Sequence, residues 1–247
     1  LWFSAIRIYE KVAPAKLAPT LALASDILLK DLKWKVFFEQ AQIEARAGRL
    51  REARSAYARA AEHCPGNLVW KVWFGGARTE LCAGNTDTAR ELIAQALASV
   101  PATMRPIVVL DQSRLEEYSG CLAAARAVLD AAKASEKQEW KIFLERILLE
   151  IRARDKAAAL RQALESLHVH AGTGRLWALK IQLTDDAGSP EASVERQKAV
   201  FKEALREVPK SGEVWCEGAR IYIKRHKHAK ARMCLEFAAQ FTPQYGD

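Results

Sequence analysis

A large apolar residue, most often Trp or Phe, returns about every 35 residues along this chain, with Glu or Tyr frequent seven positions on, Gly eleven on and Ala sixteen on. Trp2, Phe37, Trp73, Val109, Phe143, Trp177 and Trp215 fill this reference position, at intervals of 35, 36, 36, 34, 34 and 38 residues. A period of that length belongs to arrays of helical hairpins, in which each unit covers its neighbour and none can bury its own apolar faces alone. The expected fold is therefore all-α, a right-handed α-solenoid of about seven hairpins. It is read as one array over 1–247, with units at approximately 1–32, 33–68, 69–104, 105–138, 139–172, 173–211 and 212–247. The chain starts without Met inside the first unit and stops where another would be entered, so a piece of a longer protein is expected.

Two amphipathic stretches flank a polar break in each unit. In WKVFFEQAQIEARAG, Trp34, Phe37, Ala41 and Glu44 fall at helical spacing with Ile43 beside them, which predicts helix A. Gly48 ends it, and Ala53, Tyr57 and Ala60 set the stripe of helix B before Pro65 closes the unit. The Gly recurs at Gly84, Gly120 and Gly188, and the Pro at Pro101, Pro209 and Pro243. Small residues recur too: Ala53, Ala89, Ala125, Ala159 and Ala231 share one position, Ala60, Ala96, Ala132 and Ala238 another. Lack of bulk there lets the helices approach while the large reference residue fills the gap. Arg154 stands where a Gly is expected, Val109 replaces the aromatic, and the sixth unit carries extra residues around DDAGSPEASVE, so the array is expected to bend or loosen at these places.

Glu44, Glu80 and Glu116 lie ten residues before Arg54, Arg90 and Arg126. Because the hairpin turns between them, the favoured expectation is an ion pair inside each repeat, worth at most about 1 kcal/mol if exposed. The alternative is a ladder of arginines meeting phosphates.

The formal charge of +8 permits nucleic acid or an acidic partner without requiring either. No apolar run reaches a membrane span, and LWFSAIRIYEKV lacks the marks of a signal peptide. Cys64, Cys82, Cys121, Cys216 and Cys234 show no CxxC pairing and read as buried small apolar residues in a reducing compartment. His168 and His170, two apart on a helix, point to different faces, one packed and one solvated, rather than to a metal. AGTGRLW, with Gly172 and Gly174, lacks the Lys-Ser/Thr ending of a phosphate loop and reads as a turn into a helix. Neither catalytic residues nor a cofactor are assigned. The best local contact candidate is ARIYIKRHKHAKAR, where Arg220, Lys224, Arg225, Lys227, Lys230 and Arg232 stand without an acid among them. It is either a solvated turn or a patch for RNA phosphates or an acidic segment. Tyr222 could stack or pack, and the acids Glu136, Glu139, Glu145, Asp185 and Asp186 are expected exposed, breaking any continuous basic groove.

WFSAIRIYE, WFGGARTELCAG with ARELIAQAL, and VWCEGARIYIKRHKHAKARMCLEFA together resemble HAT (half-a-TPR) repeats, nearest in look to the long HAT array of the spliceosomal tri-snRNP. The HAT order of Trp, Glu and Ala-Arg is kept, whereas the WxxLG and YxxA signature of ordinary TPR units is not. This resemblance implies RNA processing, and pre-mRNA splicing first: a non-enzymatic nuclear scaffold that binds protein subunits of a ribonucleoprotein along its grooves, with RNA contact and homodimerisation left open. Two alternatives stand beside it, a direct RNA-binding organellar transcript-processing factor and a general TPR-like interaction adaptor.

Overall fold

The computed structural model describes residues 1–185 and 190–241. Gly188, Asp186 and Pro243, each expected to matter above, lie outside the described residues. Among those described there are fourteen α-helices, two short 3-10 turns and no strand. In order they are α1 (Trp2–Val12), α2 (Leu17–Ile27), α3 (Lys30–Arg46), α4 (Leu50–His63), α5 (Val69–Cys82), α6 (Thr86–Ser99), α7 (Arg105–Tyr118), α8 (Leu122–Ser135), α9 (Trp140–Arg152), α10 (Lys156–Val169), α11 (Gly174–Leu183), α12 (Pro190–Glu207), α13 (Gly212–Ile223) and α14 (His228–Phe241). Odd-numbered helices are the A helices and even-numbered the B helices. The fold is all-α, built of helical hairpins of the α-solenoid class, and its chain forms two compact units, Leu1–Ala125 and Arg126–Asp247.

In the first unit α4 packs on α5 and α6 on α7; in the second α10 packs on α11 and α12 on α13. In each of these pairs, as in α2 with α3, a B helix covers the next A helix. The A helices also meet one another, α1 with α3, α3 with α5, and α11 with α13. The shared alanines sit at these junctions and are buried, from Ala53, Ala89, Ala125, Ala159 and Ala231 to Ala60, Ala96, Ala132 and Ala238. Two further rows are as regular. The residue before the reference (Val36, Val72, Val108, Ile142, Leu176 and Val214) and the residue four after it (Ile6, Ala41, Ala77, Ser113, Ile147, Ile181 and Ala219) are nearly inaccessible throughout. A helix buried between two neighbours needs more than one stripe, which is why three rows are apolar with Ser113 as the exception. At Gly218 an added Cβ would stand 2.4 Å from the Phe201 ring, so α13 lies against α12 only because the side chain is missing.

The hairpin turn repeats atom for atom. At the end of α5, Gly84 takes φ +82°, its N–H donates to the Leu81 carbonyl, and the Asn85 N–H donates to the Glu80 carbonyl at 2.9 Å. This Schellman arrangement satisfies carbonyls that the helix end would leave unpaired. Gly48 and Gly120 do the same after α3 and α7. The expected loosening at Arg154 is not seen. Arg154 itself adopts φ 60°, and the Asp155 N–H donates to the Glu150 carbonyl at 3.0 Å, so neighbouring packing imposes the turn on a residue that disfavours it. A non-glycine residue in this conformation costs about 1–2 kcal/mol. Arg154→Gly is therefore expected to raise the stability of the second unit by about 1 kcal/mol in urea unfolding, and Gly84→Ala to lower that of the first by a similar amount. Val109, the aliphatic reference residue, is buried like Phe143 and Trp177, whereas Trp2, Phe37, Trp73 and Trp215 at the same position are half-buried.

Candidate functional site

The recurring charge pairs join repeats, which corrects the expectation that they lie within one. Arg54 on α4 reaches Glu80 on α5 with Nε and Nη2 at 2.7 and 2.8 Å. Arg90 on α6 grips Glu116 on α7 at 2.9 and 3.0 Å, and Arg126 on α8 grips Glu150 on α9 at 2.9 and 2.8 Å. The reason is the packing order: the first turn of helix B lies over the end of the following A helix, not over its own. Glu44 pairs locally with Arg49 instead. The Arg54 guanidinium, with the Asn85 amide, holds the Glu80 carboxyl below its usual range. Arg126 first, and then Arg146, bring Glu150 down to about 2 against the burial that opposes them. A second set of contacts links A helix to A helix: Arg7 donates to Glu39 at 2.8 Å, Gln182 to Glu217 at 2.6 Å, and Arg78 to Asp111. The donor lies five residues after one reference residue and the acceptor two after the next. Bidentate pairing occupies the three arginines that the phosphate ladder would have needed.

A concavity with a volume of about 1180 Å3 lies in the first unit. Its wall comes mostly from the A layer: Phe3 of α1, Trp34 and Phe38 of α3, Trp70 and Phe74 of α5, and Ile107 of α7, with Tyr57 of α4 closing the floor. Within this unit the A helices line the hollow, a point periodicity alone left open. The aromatic side chains brace one another, Phe38 edge-on to Trp34 at 6.2 Å and to Tyr57 at 5.8 Å. Five cations, Arg7, Lys35, Arg46, Lys71 and Arg78, face a single lining carboxylate, Glu39. Cys82 is exposed on the same wall. A hollow larger than the roughly 300–1,000 Å3 typical of small-molecule sites suits a polypeptide segment.

At the other end of the chain, the candidate basic residues fall into two sets. Arg220 bonds Glu217 at 3.2 Å, Lys224 bonds Asp185, and Arg225 lies in the field of Glu195. Lys227, Lys230 and Arg232 are exposed and make no salt bridge among the described residues, and Lys230 stands 5.9 Å over the Tyr222 ring. Tyr222 packs on the apolar core, so its ring is committed to structure. Of the acids expected exposed, Glu145 is buried on α9 and bonded to Arg152 at 2.8 Å, because the residue two after the reference faces the interior of the A layer. Glu136 and Glu139 are half-buried.

The family model described as PRP6, TPR-like domain, matches residues 1–247. The chain belongs to the PRP6 TPR-like domain family. A TPR-containing protein of Dictyostelium discoideum is 56% identical over 250 residues, covering all of this chain and 19% of that protein, so the chain spans about a fifth of its curated relative. Among solved structures, a tetratricopeptide repeat protein of Parabacteroides merdae matches 99% of this chain and 93% of its own at 13% identity and a TM-score of 0.50, which speaks to the fold. The pilF protein of Pseudomonas aeruginosa matches 85% of this chain and 92% of its own at 13% identity and a TM-score of 0.48. TPR-like repeats mediate protein–protein interactions, and repeat families of this kind are typically non-catalytic scaffolds.

Within this PRP6 TPR-like domain the other candidates resolve by burial. His170 packs edge-on to Phe143 at 4.6 Å while His168 is exposed, and Gly172–Gly174 form the turn entering α11. Only Cys234 is buried; Cys82, Cys121 and Cys216 are exposed and Cys64 half-buried, since they fall at a helix end, in a turn and on an outer face rather than in the buried rows. No helix of the described residues is long and apolar enough to cross a membrane. The groove residues were missed from sequence although a signal existed. Trp-Lys recurs three and two residues before the reference, at Trp34–Lys35, Trp70–Lys71 and Trp140–Lys141.

Proposed function

We propose that this PRP6 TPR-like domain is a non-catalytic scaffold of a nuclear pre-mRNA splicing ribonucleoprotein and that it holds protein subunits against its A-helix layer. The family match over residues 1–247 carries the reading, and the aromatic hollow of the first unit supports protein as the ligand. The seven hairpins are read as one array that presents an extended surface. Affinity purification of the tagged chain from nuclear extract is expected to recover splicing ribonucleoprotein proteins together with small nuclear RNA. That RNA should be lost when protein–protein contacts are disrupted. Failure to recover either class, at the expression level of the tagged chain, overturns the assignment.

A secondary RNA contact at the α13–α14 turn is favoured by one observation, the three exposed cations without salt bridges. Replacing Lys227, Lys230 and Arg232 by Glu is expected to weaken single-stranded RNA binding at least tenfold at low salt and to flatten its salt dependence. Equal binding by the folded variant removes the contact. Self-association belongs with these proposals, and sedimentation at two concentrations tests it. Leu1, Ile8, Val12, Leu23, Ile27 and Leu29 on or beside the first hairpin provide exposed apolar surface for it.

A further inference from the structure

We propose that the hollow of the first unit takes an acidic segment of a partner protein, with apolar side chains entering between the aromatics and two carboxylates held by Lys35 and Lys71. The inference rests on the protein-scaffold reading and adds the chemistry of what is bound.

Its basis is which charges in the hollow are already used. Arg7, Arg46 and Arg78 are bonded to Glu39, Glu10 and Asp111. Lys35 and Lys71 make no salt bridge among the described residues. They occupy the same place in successive repeats, two before the reference, on neighbouring helices α3 and α5. Each ammonium sits at the face of the preceding indole, 5.8 Å from Trp34 and 5.7 Å from Trp70, a cation–π placement that leaves its donors for a ligand. Packed helices lie about 8–10 Å apart. In the polyproline II conformation, with three residues per turn and a rise of about 3.1 Å per residue, carboxylates at i and i+3 share one face and stand about 9 Å apart. The segment so defined carries acids at i and i+3 with apolar residues between.

Nucleic acid fits less well. Single strands are held by bases stacking on exposed aromatic faces. Here Trp34, Trp70 and Phe74 are each buried to within a tenth of complete, and lysines cover the two indoles. What the wall offers is apolar edge and a paired positive charge, which suits aliphatic and acidic side chains.

The probe is a fluorescein-labelled 15-residue peptide with Glu at every third position and Leu and Phe between, compared with the same peptide carrying Lys in place of Glu. The whole 247-residue chain is expected to bind the acidic peptide at least tenfold tighter at low salt. Lys35→Glu with Lys71→Glu should reverse that preference, while Lys137→Glu with Lys210→Glu leaves it intact. A second readout needs no variant: bound peptide should slow alkylation of Cys82 on the groove wall but not of the exposed Cys121 and Cys216. Equal affinity for both peptides, unprotected Cys82, or protection of Cys82 by oligouridine instead overturns the inference. If the folded double variant still recovers the splicing proteins that wild type recovers, the groove inference fails and the scaffold reading stands. If wild type recovers none, the scaffold reading itself falls.

Discussion

Glu150→Gln is expected to lower the unfolding free energy of the second unit by about 3 kcal/mol. Its carboxylate is 2% exposed and is shared between Arg126 on the preceding B helix and Arg146 one turn earlier on α9, itself 8% exposed and also bonded to Asp130 at 2.9 Å. Removing the charge leaves a buried guanidinium short of its partner, a loss that typically costs about 3–5 kcal/mol. The retained Asp130 contact places the value at the lower end. Acid gives an independent check. The native carboxyl is held at about 2 against an ordinary 4.5, so its contribution is complete above about 4.5 and disappears as the pH falls through about 2. Wild type and the Gln variant should therefore differ by a constant amount from pH 7 to pH 5 and converge below it. A difference that persists at pH 2 in urea titrations would mean that the amide perturbs packing rather than charge.

Trp177→Ala is expected to cost the second unit about 4 kcal/mol. The indole is 4% exposed within a core that includes Leu176, Ile181 and Phe201, and its Nε1–H donates to the Ala171 carbonyl at 2.7 Å, tying the inter-repeat turn to α11. Trp215 makes the equivalent bond to Pro209 at 2.8 Å. Truncation loses transfer energy, leaves a cavity and frees that carbonyl. Trp177→Phe separates the parts: it refills most of the space but cannot donate, so a loss of about 1–2 kcal/mol is expected. Thermal or urea midpoints for the two variants check the ratio, and equal losses would assign the whole effect to the hydrogen bond.

The regular parts of the fold were legible because each has a one-dimensional signature. Gly48, Gly84 and Gly120 mark the turns, and Ala53 and its equivalents mark the close junctions. The destination of Arg54 was not legible, since spacing places it opposite an end of helix A without saying whose. Glu44 and Glu80 are equally good candidates until the packing order of B onto the next A is known. Arg154 misled for a related reason: local preference argues against a left-handed residue, and the contacts on both sides outweigh it. Glu145 misled because charge was read as exposure, whereas a helix covered on several sides buries acids along with its apolar rows. The candidate groove was half visible. The repeated Trp-Lys is in the sequence, but its pairing across α3 and α5 depends on which layer lines the hollow.

The arginine clamps also carry a direction in time. Arg54, Arg90 and Arg126 precede the carboxylates they hold by 26, 26 and 24 residues, and each carboxylate belongs to the same glutamate whose carbonyl closes the next turn. On a ribosome the grip therefore emerges before the thing gripped, at each of these three junctions. A finished hairpin waits at the exit with its guanidinium displayed, and the hairpin behind it completes its own turn in the act of docking. Assembly can then advance with translation, one repeat at a time, without waiting for the distant end of the polypeptide.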